Sequence, residues 1–277
     1  MIGERISGGS SAIAPRSAPS SLATVISIAI VAYAACDMIH EVLEHGLACA
    51  LTPGVRALSL STVALQTSSE SRFVAAAGSM TNVIAGLFLL ALFRGRKRFD
   101  SWGYFLWLLA TLNLFNGTGY LLFSGLLDVG DWAVVIAGLT PHWAWRVALA
   151  IGGIVTYAGS VSLAAAPMAS LVRSGQVDRR DVPRLAIPAY VAGGLLLVAG
   201  SVLNPISPSL ILMSGLSSGF GAMFGLPFIP RVVERRTSGG AASAPGLRAS
   251  GAWLVCAILV AAIFVGIVGR GIPLSSQ

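Results

Sequence analysis

The stretch Asp37-Met-Ile-His40-Glu41-Val-Leu-Glu44-His45 places five ionisable side chains within nine residues of an otherwise apolar segment. Residues 22–36 before it and residues 46–51 after it carry no charge. At the centre of a bilayer, each ionisable group costs roughly 2.5–3.5 kcal/mol by insertion scales. Five such groups on one helix must therefore pair, bind an ion or face water. We take this cluster as the candidate functional site.

The composition predicts an all-α polytopic membrane protein. Only 10% of the 277 residues are charged and 55% are hydrophobic, whereas about 25% of residues are charged in a soluble domain. Several apolar runs reach the roughly 20 residues that cross a bilayer as a helix. We therefore predict about seven transmembrane helices and an integral, multi-pass protein whose main surroundings are membrane lipid, and we expect a bacterial inner membrane.

The chain divides into three predicted regions. Residues 1–21 are rich in Ser, Gly, Ala and Pro and are expected to form a disordered tail. Residues 22–140 form a membrane core that contains the charged cluster, and residues 141–270 supply further transmembrane helices. Within the core, residues 55–66 alternate Leu with Ser before β-branched residues, which predicts a short strand-like insertion after the first helix.

The third predicted span, residues 102–127, is unusually polar. It contains Asn113, Asn116, Gly117 and Gly119. Asn and Gly at this density favour a distorted or broken helix that faces other protein.

The net charge of +7 is interpreted as a topology signal and not as a nucleic-acid contact. Basic residues cluster in the loops after spans two, four and six: Arg94, Arg96, Lys97 and Arg98; Arg179, Arg180 and Arg184; Arg231, Arg235 and Arg236. Positively charged loops stay in the cytoplasm. This alternation puts the charged cluster and the turn with Asp128 and Asp131 on the same side of the membrane.

The cluster has the residue types of a zinc site. In a metalloprotease helix with His-Glu-x-x-His, the two His share a face and bind zinc while Glu activates the bound water. Here the second His comes one residue late, and Glu44 occupies its place. Zinc accepts carboxylate oxygen, so His40 and Glu44 can be ligands. Alternatively, a π-bulge, which inserts one residue into a helix, brings His45 to the same face.

The remaining roles follow from position. A third ligand must come from another part of the chain, and Asp131 or Asp128 are the nearby candidates. Glu41 is the candidate general base.

These elements together resemble the site-2 protease family of intramembrane zinc metalloproteases. The likeness rests on His40-Glu41 in the first span, the strand-like stretch, the run Ala77-Gly78-Ser79-Met80-Thr81-Asn82, and an Asn-containing third span followed by Asp. That family has a His-Glu-x-x-His helix, a Gly-Pro-x-x-Asn element and a third-span Asn/Asp element. The resemblance covers residues 28–132, and Ser79 stands where the family has Pro.

The resemblance implies a zinc metalloprotease-like core over residues 22–140. It implies Zn²⁺ as the cofactor, with His40 as first ligand, Glu44 or His45 as second and Asp131 or Asp128 as last, and Glu41 as the base. The expected reaction is hydrolysis of peptide bonds in membrane-anchored peptides or proteins. Other hypotheses are a catalytically inactive homologue, a proton-coupled transporter and a scaffold whose polar residues join helices.

Overall fold

The computed structural model of the chain describes residues 18–204, 211–237 and 244–274. Most of the predicted disordered tail lies outside these residues. Its described end, residues 18–21, is hydrogen-bonded: the Ser20 backbone N–H donates to the Asp181 carboxylate, and the Ser21 N–H donates to the Leu247 carbonyl oxygen.

Seven helical segments of the described chain are long and apolar enough to cross a membrane, which agrees with the number predicted. They are Leu22–Leu51, Arg72–Arg94, Ser101–Leu127, His142–Arg173, Arg179–Val202, Gly215–Arg236 and Gly251–Arg270.

The helix Ser101–Leu127 matches the third predicted span, residues 102–127. The α-helices are α1 (Leu22–Met38), α2 (Leu47–Leu51), α3 (Arg72–Arg94), α4 (Ser101–Leu127), α5 (Asp131–Ile136), α6 (His142–Arg173), α7 (Val182–Val202), α8 (Ile229–Arg236) and α9 (Gly251–Gly266). Two π-helical segments, Ile39–Gly46 and Ile211–Gly221, and 3₁₀ segments at Arg179–Asp181, Ala222–Phe228 and Val268–Arg270 complete the helical part.

Helix starts are set by short polar side chains that accept a hydrogen bond from the first turn. The capping residues are Ser21 for α1, Ser71 for α3, Asp100 for α4 and Ser250 for α9. Each satisfies a backbone N–H that has no partner inside the helix.

The strand-like insertion is a small antiparallel sheet. Strands β1 (Ala57–Leu60) and β2 (Leu65–Thr67) form a hairpin, and β3 (Ile272–Pro273) pairs with the other side of β1. The order is β2-β1-β3, so β2 lies at an edge. The sequence predicted the strand-like stretch at residues 55–66. It did not predict β3, which comes from the far end of the chain.

Helix α4 lies at the centre of the bundle, with 72% of its apolar window buried. The expected distortion is wrong, because α4 is one continuous α-helix. The amides do not break it: Asn113 Nδ2 donates to the Leu109 carbonyl oxygen one turn earlier at 2.8 Å, and Asn116 Nδ2 donates to Asn82 Oδ1 on α3 at 2.9 Å.

Close packing of α3 on α4 depends on glycine at position 117. A Cβ atom there would lie 2.5 Å from the Ser79 carbonyl oxygen and 3.0 Å from the Val83 backbone nitrogen. Because both are backbone atoms of α3, the two helices would have to separate.

We therefore expect Gly117→Ala to destabilise the fold by about 1–3 kcal/mol, the usual cost of overpacking. The matched control is Gly152→Ala in α6, where a Cβ meets nothing within 4 Å and replacing Gly in a helix gains up to about 1 kcal/mol. Thermal unfolding in detergent compares the two. A Gly117→Ala variant that melts no lower than the control would contradict this account of the α3–α4 contact.

Candidate metal centre

The π-helical segment Ile39–Gly46 puts the two histidines of the cluster on one face. A π-helix closes its hydrogen bonds at i+5, so residues five apart come to lie above one another. The rings of His40 and His45 are edge to face, with centroids 4.8 Å apart. The bulge considered from the sequence is therefore present, and it compensates the one-residue shift of the second His.

Asp131, the first residue of α5, completes a group of three. Its Oδ2 atom lies 3.3 Å from His40 Nε2 and 3.6 Å from His45 Nε2. Ligand atoms 2.0–2.1 Å from a tetrahedral zinc ion are about 3.3 Å apart. One atom from each of the three residues lies within 4.8 Å of the other two, so the group can hold a metal ion.

Each histidine ring is oriented by a hydrogen bond at Nδ1, the ring nitrogen that points away from Asp131. His40 Nδ1 lies 2.8 Å from Asn82 Oδ1, and His45 Nδ1 lies 2.8 Å from the Val74 carbonyl oxygen. Both partners are acceptors, so Nδ1 carries the proton in each ring. In a neutral imidazole the Nε2 atom then presents a lone pair, here toward Asp131. Metal-bound histidines show this pattern.

The orientation of Asn82 is set in turn by α4. Asn82 Nδ2 donates to Asn113 Oδ1 at 2.8 Å, and Asn116 Nδ2 donates to Asn82 Oδ1. The carbonyl oxygen of Asn82 is therefore turned toward His40. Asn82, the last residue of the run Ala77–Asn82, thus links α3 to α4 and to His40 by hydrogen bonds.

The centre concentrates negative charge and lone pairs in a buried place. His40 and His45 are 3% and 8% exposed, and Asp131 Oδ2 is buried without a hydrogen bond from the described residues. Burial raises the pKa of the Asp131 carboxyl, but the two imidazole rings facing it lower that pKa by more, to well below its usual range. The Asp131 carboxyl therefore carries a negative charge beside the two rings, which protonated imidazoles or a bound metal ion would balance.

Glu41 and Glu44 lie beside the group in different ways. Glu41 is 4% exposed, and its Oε2 accepts a hydrogen bond of 2.7 Å from the Leu65 N–H of β2. Glu44 is 2% exposed, and its Oε2 lies 3.3 Å from His40 Nδ1, the nitrogen that faces Asn82. Glu44 is thus outside the group of three, and its role as a ligand stays a prediction.

The two candidate aspartates are separated by the structure. Asp128 pairs with His142 Nε2 at 3.0 Å and lies 3.7 Å from a guanidinium nitrogen of Arg146, away from the histidine pair. Asp131 alone of the two joins His40 and His45.

A cavity of about 570 Å³ runs along the group. His40, Glu41, His45 and Asp131 lie on its wall, and most of the remaining wall is apolar. Apolar side chains of α4 contribute Leu122, Phe123 and Leu126, and the edge strand contributes Leu65. The space can take an apolar molecule alongside the polar group.

Two residues of the site, Tyr120 and Trp132, were not singled out as functional from the sequence, and Gly78 was named only within the run that resembles the Gly-Pro-x-x-Asn element. Tyr120 stacks on the His40 ring, with centroids 4.8 Å apart. Trp132 Nε1 donates to Ser79 Oγ at 2.8 Å. Gly78 lies against both imidazole rings. Only the nearness of Tyr120 to Asn116 and of Trp132 to Asp131 in the sequence could have pointed to Tyr120 and Trp132.

Comparison with protein-family models, with curated proteins and with solved structures finds no match for this chain.

The rings need the space that Gly78 leaves open. A Cβ atom at position 78 would lie 2.7 Å from His45 Nε2 and 2.8 Å from His40 Cε1. We expect the Gly78→Ala substitution to push both rings apart. The affinity for a divalent transition metal should then fall at least about tenfold, the usual effect of losing contacts that orient metal ligands. Chelator competition on the purified protein measures it.

The control for this variant is Gly159→Ala on α6, where an added Cβ meets nothing within 4 Å. Equal metal affinity in the two variants would show that the rings do not need the space at Gly78.

Proposed function

We propose that the protein is a multi-pass membrane zinc metalloprotease of the site-2 protease type. His40, His45 and Asp131 hold the ion in this proposal, and Glu41 is the general base. One observation carries it: two buried histidines with their Nδ1 atoms engaged turn Nε2 toward an ionised carboxylate. Glu41 follows the first of these histidines directly in the π-helical segment.

The donor set fits a catalytic zinc ion. Two imidazole nitrogens and one carboxylate oxygen are an established set, and catalytic sites leave the fourth position open. Three described residues supply these donors, and the cavity gives access to them. When bound, zinc would lower the pKa of a water molecule and polarise a carbonyl group.

The chain's own residues provide the proton transfer and the shielding from solvent. Glu41 Oε2 is held by the Leu65 N–H, which leaves Oε1 as the atom to take a proton from water and return it to the departing amine. Such general acid–base transfer requires a positioned carboxylate within hydrogen-bond reach. The cavity wall beside Glu41 is mostly apolar, and a substrate that fills the cavity would displace water and strengthen these interactions.

The surroundings favour a membrane-anchored peptide as substrate. The seven apolar segments make lipid the expected medium, and the cavity wall is mostly apolar. The edge strand β2 lies beside Glu41, and an exposed strand edge can bind an extended peptide through its backbone. An extended backbone is also what hydrolysis requires, because a helix hides its peptide bonds.

The ligand set can be tested by metal content. We expect wild-type protein, purified without chelator, to contain about one zinc per chain, and His45→Ala to lose it. Glu44→Gln should retain the metal, because Glu44 lies on the Nδ1 side of His40. Elemental analysis measures both. Zinc lost from Glu44→Gln and kept in His45→Ala would mean that the ligands are four residues apart, as in an ordinary α-helix.

Catalysis is tested separately from binding. Glu41→Gln should keep zinc and lower cleavage of a membrane-tethered peptide in liposomes by about 10²–10⁴-fold, the usual contribution of a general base. Glu234→Gln on the exposed face of α8 is the control for loss of one carboxylate. A wild-type protein that binds zinc but cleaves no faster than Glu41→Gln would be the inactive homologue.

A further inference from the structure

The third ligand of the proposed centre is carried by a helix too short to hold itself in place. Helix α5 has six residues, Asp131–Ile136, and Asp131 is its first. Isolated helices of fewer than about 12 residues are not stable in water. Gly130 and Gly138 flank it, both in left-handed conformations with φ of 81° and 74°. The direction of α5, and with it the position of Asp131, must therefore come from contacts with other helices.

Two polar contacts tie α5 to α3. The Trp132 indole N–H donates to Ser79 Oγ at 2.8 Å, and the Arg72 guanidinium donates to the carbonyl oxygen of Ala137 at the other end of α5. Ser79 is 1% exposed, so its hydroxyl group has little access to water as an alternative partner. Both residues of this hydrogen bond are sequence neighbours of site residues: Trp132 follows Asp131, and Ser79 follows Gly78.

We propose that Trp132 and Ser79 are positioning residues that hold Asp131 in the metal centre. The inference rests on the proposed zinc site but adds residues that have no contact with the ion. In the family that the chain resembles, Pro stands at the position of Ser79. Proline has no hydroxyl group to accept the indole hydrogen bond. The Ser79–Trp132 pair is thus a feature of this chain and not of that motif.

Helix α3 explains why this bond affects the centre as a whole. It supplies the carbonyl oxygen of Val74 for His45 and Asn82 for His40. Through Ser79 the same helix also fixes the element that carries Asp131. Loss of the bond leaves the two histidines in place and lets α5 turn about its flanking glycines. The expected effect is weaker metal binding with the same stoichiometry.

The test measures zinc affinity by chelator competition on purified full-length protein. The variants are Ser79→Ala, Trp132→Phe and the double variant, with Trp143→Phe as control because that side chain is 69% exposed. Each single variant should bind zinc about 10–100-fold more weakly, as for loss of other outer contacts of metal ligands. The double variant should bind about as weakly as either single one, since both remove the same bond.

Hydrogen–deuterium exchange of the segment 131–137 in zinc-free protein provides a second readout. Faster exchange in Ser79→Ala than in Trp143→Phe is expected if the bond holds α5. Affinities of both single variants within about twofold of wild type, or fully additive losses in the double variant, would overturn the inference. Absence of zinc binding in wild type would instead overturn the proposed function, and this inference with it.

Discussion

Two histidine Nε2 atoms and Asp131 Oδ2 face one another in the buried centre of this protein, and the three atoms require protons or a metal ion between them. Nδ1 of each histidine is already bonded to an oxygen that can only accept. The Nε2 atoms therefore present lone pairs to Asp131 Oδ2 unless the rings are protonated. Buried charges persist in proteins when they are paired or coordinate metal. Three helices keep these atoms facing one another. Helix α3 orients the two histidine rings, α4 orients Asn82, and α5 carries the Asp131 carboxylate.

The π-helical turn reconciles the sequence with such a centre. In an α-helix, Glu44 would share a face with His40, and His45 would point about 140° away. The π-helical segment Ile39–Gly46 reverses that assignment and brings His45 beside His40. Glu44 then lies against the outer nitrogen of the His40 ring. π-helices are rare and occur often at functional sites. A second His displaced by one residue in the sequence therefore does not by itself show that the metal site is lost.

Local patterns predicted most of the fold. Seven apolar runs became seven long helices, and the Leu–Ser alternation became β1 because strand periodicity is a local property. Non-local pairing was not predictable: β3, at the far end of the chain, joins β1. Asn-rich α4 also stayed straight, since its amides found partners on α3 and on its own backbone.

The candidate site was predictable in part. Span counting placed Asp131 on the same side as the cluster, and the structure brings them together. The choice between Glu44 and His45 depends on one extra residue in a helical turn, which tertiary contacts decide. Gly78, Tyr120 and Trp132 belong to the site only through packing across helices, and no spacing rule within one helix reveals such contacts.

An apolar helix can contain the histidines of the nine-residue cluster because a second helix, α3, provides their hydrogen-bond partners and the space for their rings. Within a short part of α3, the Val74 carbonyl oxygen binds His45, the missing side chain of Gly78 admits both rings, and Asn82 binds His40. Ser79, in the same part, holds the helix that carries Asp131. The polar groups of the first span and the atoms of α3 that bind them are therefore matched position by position. The unit of this site is therefore the pair of helices and not the histidine motif alone.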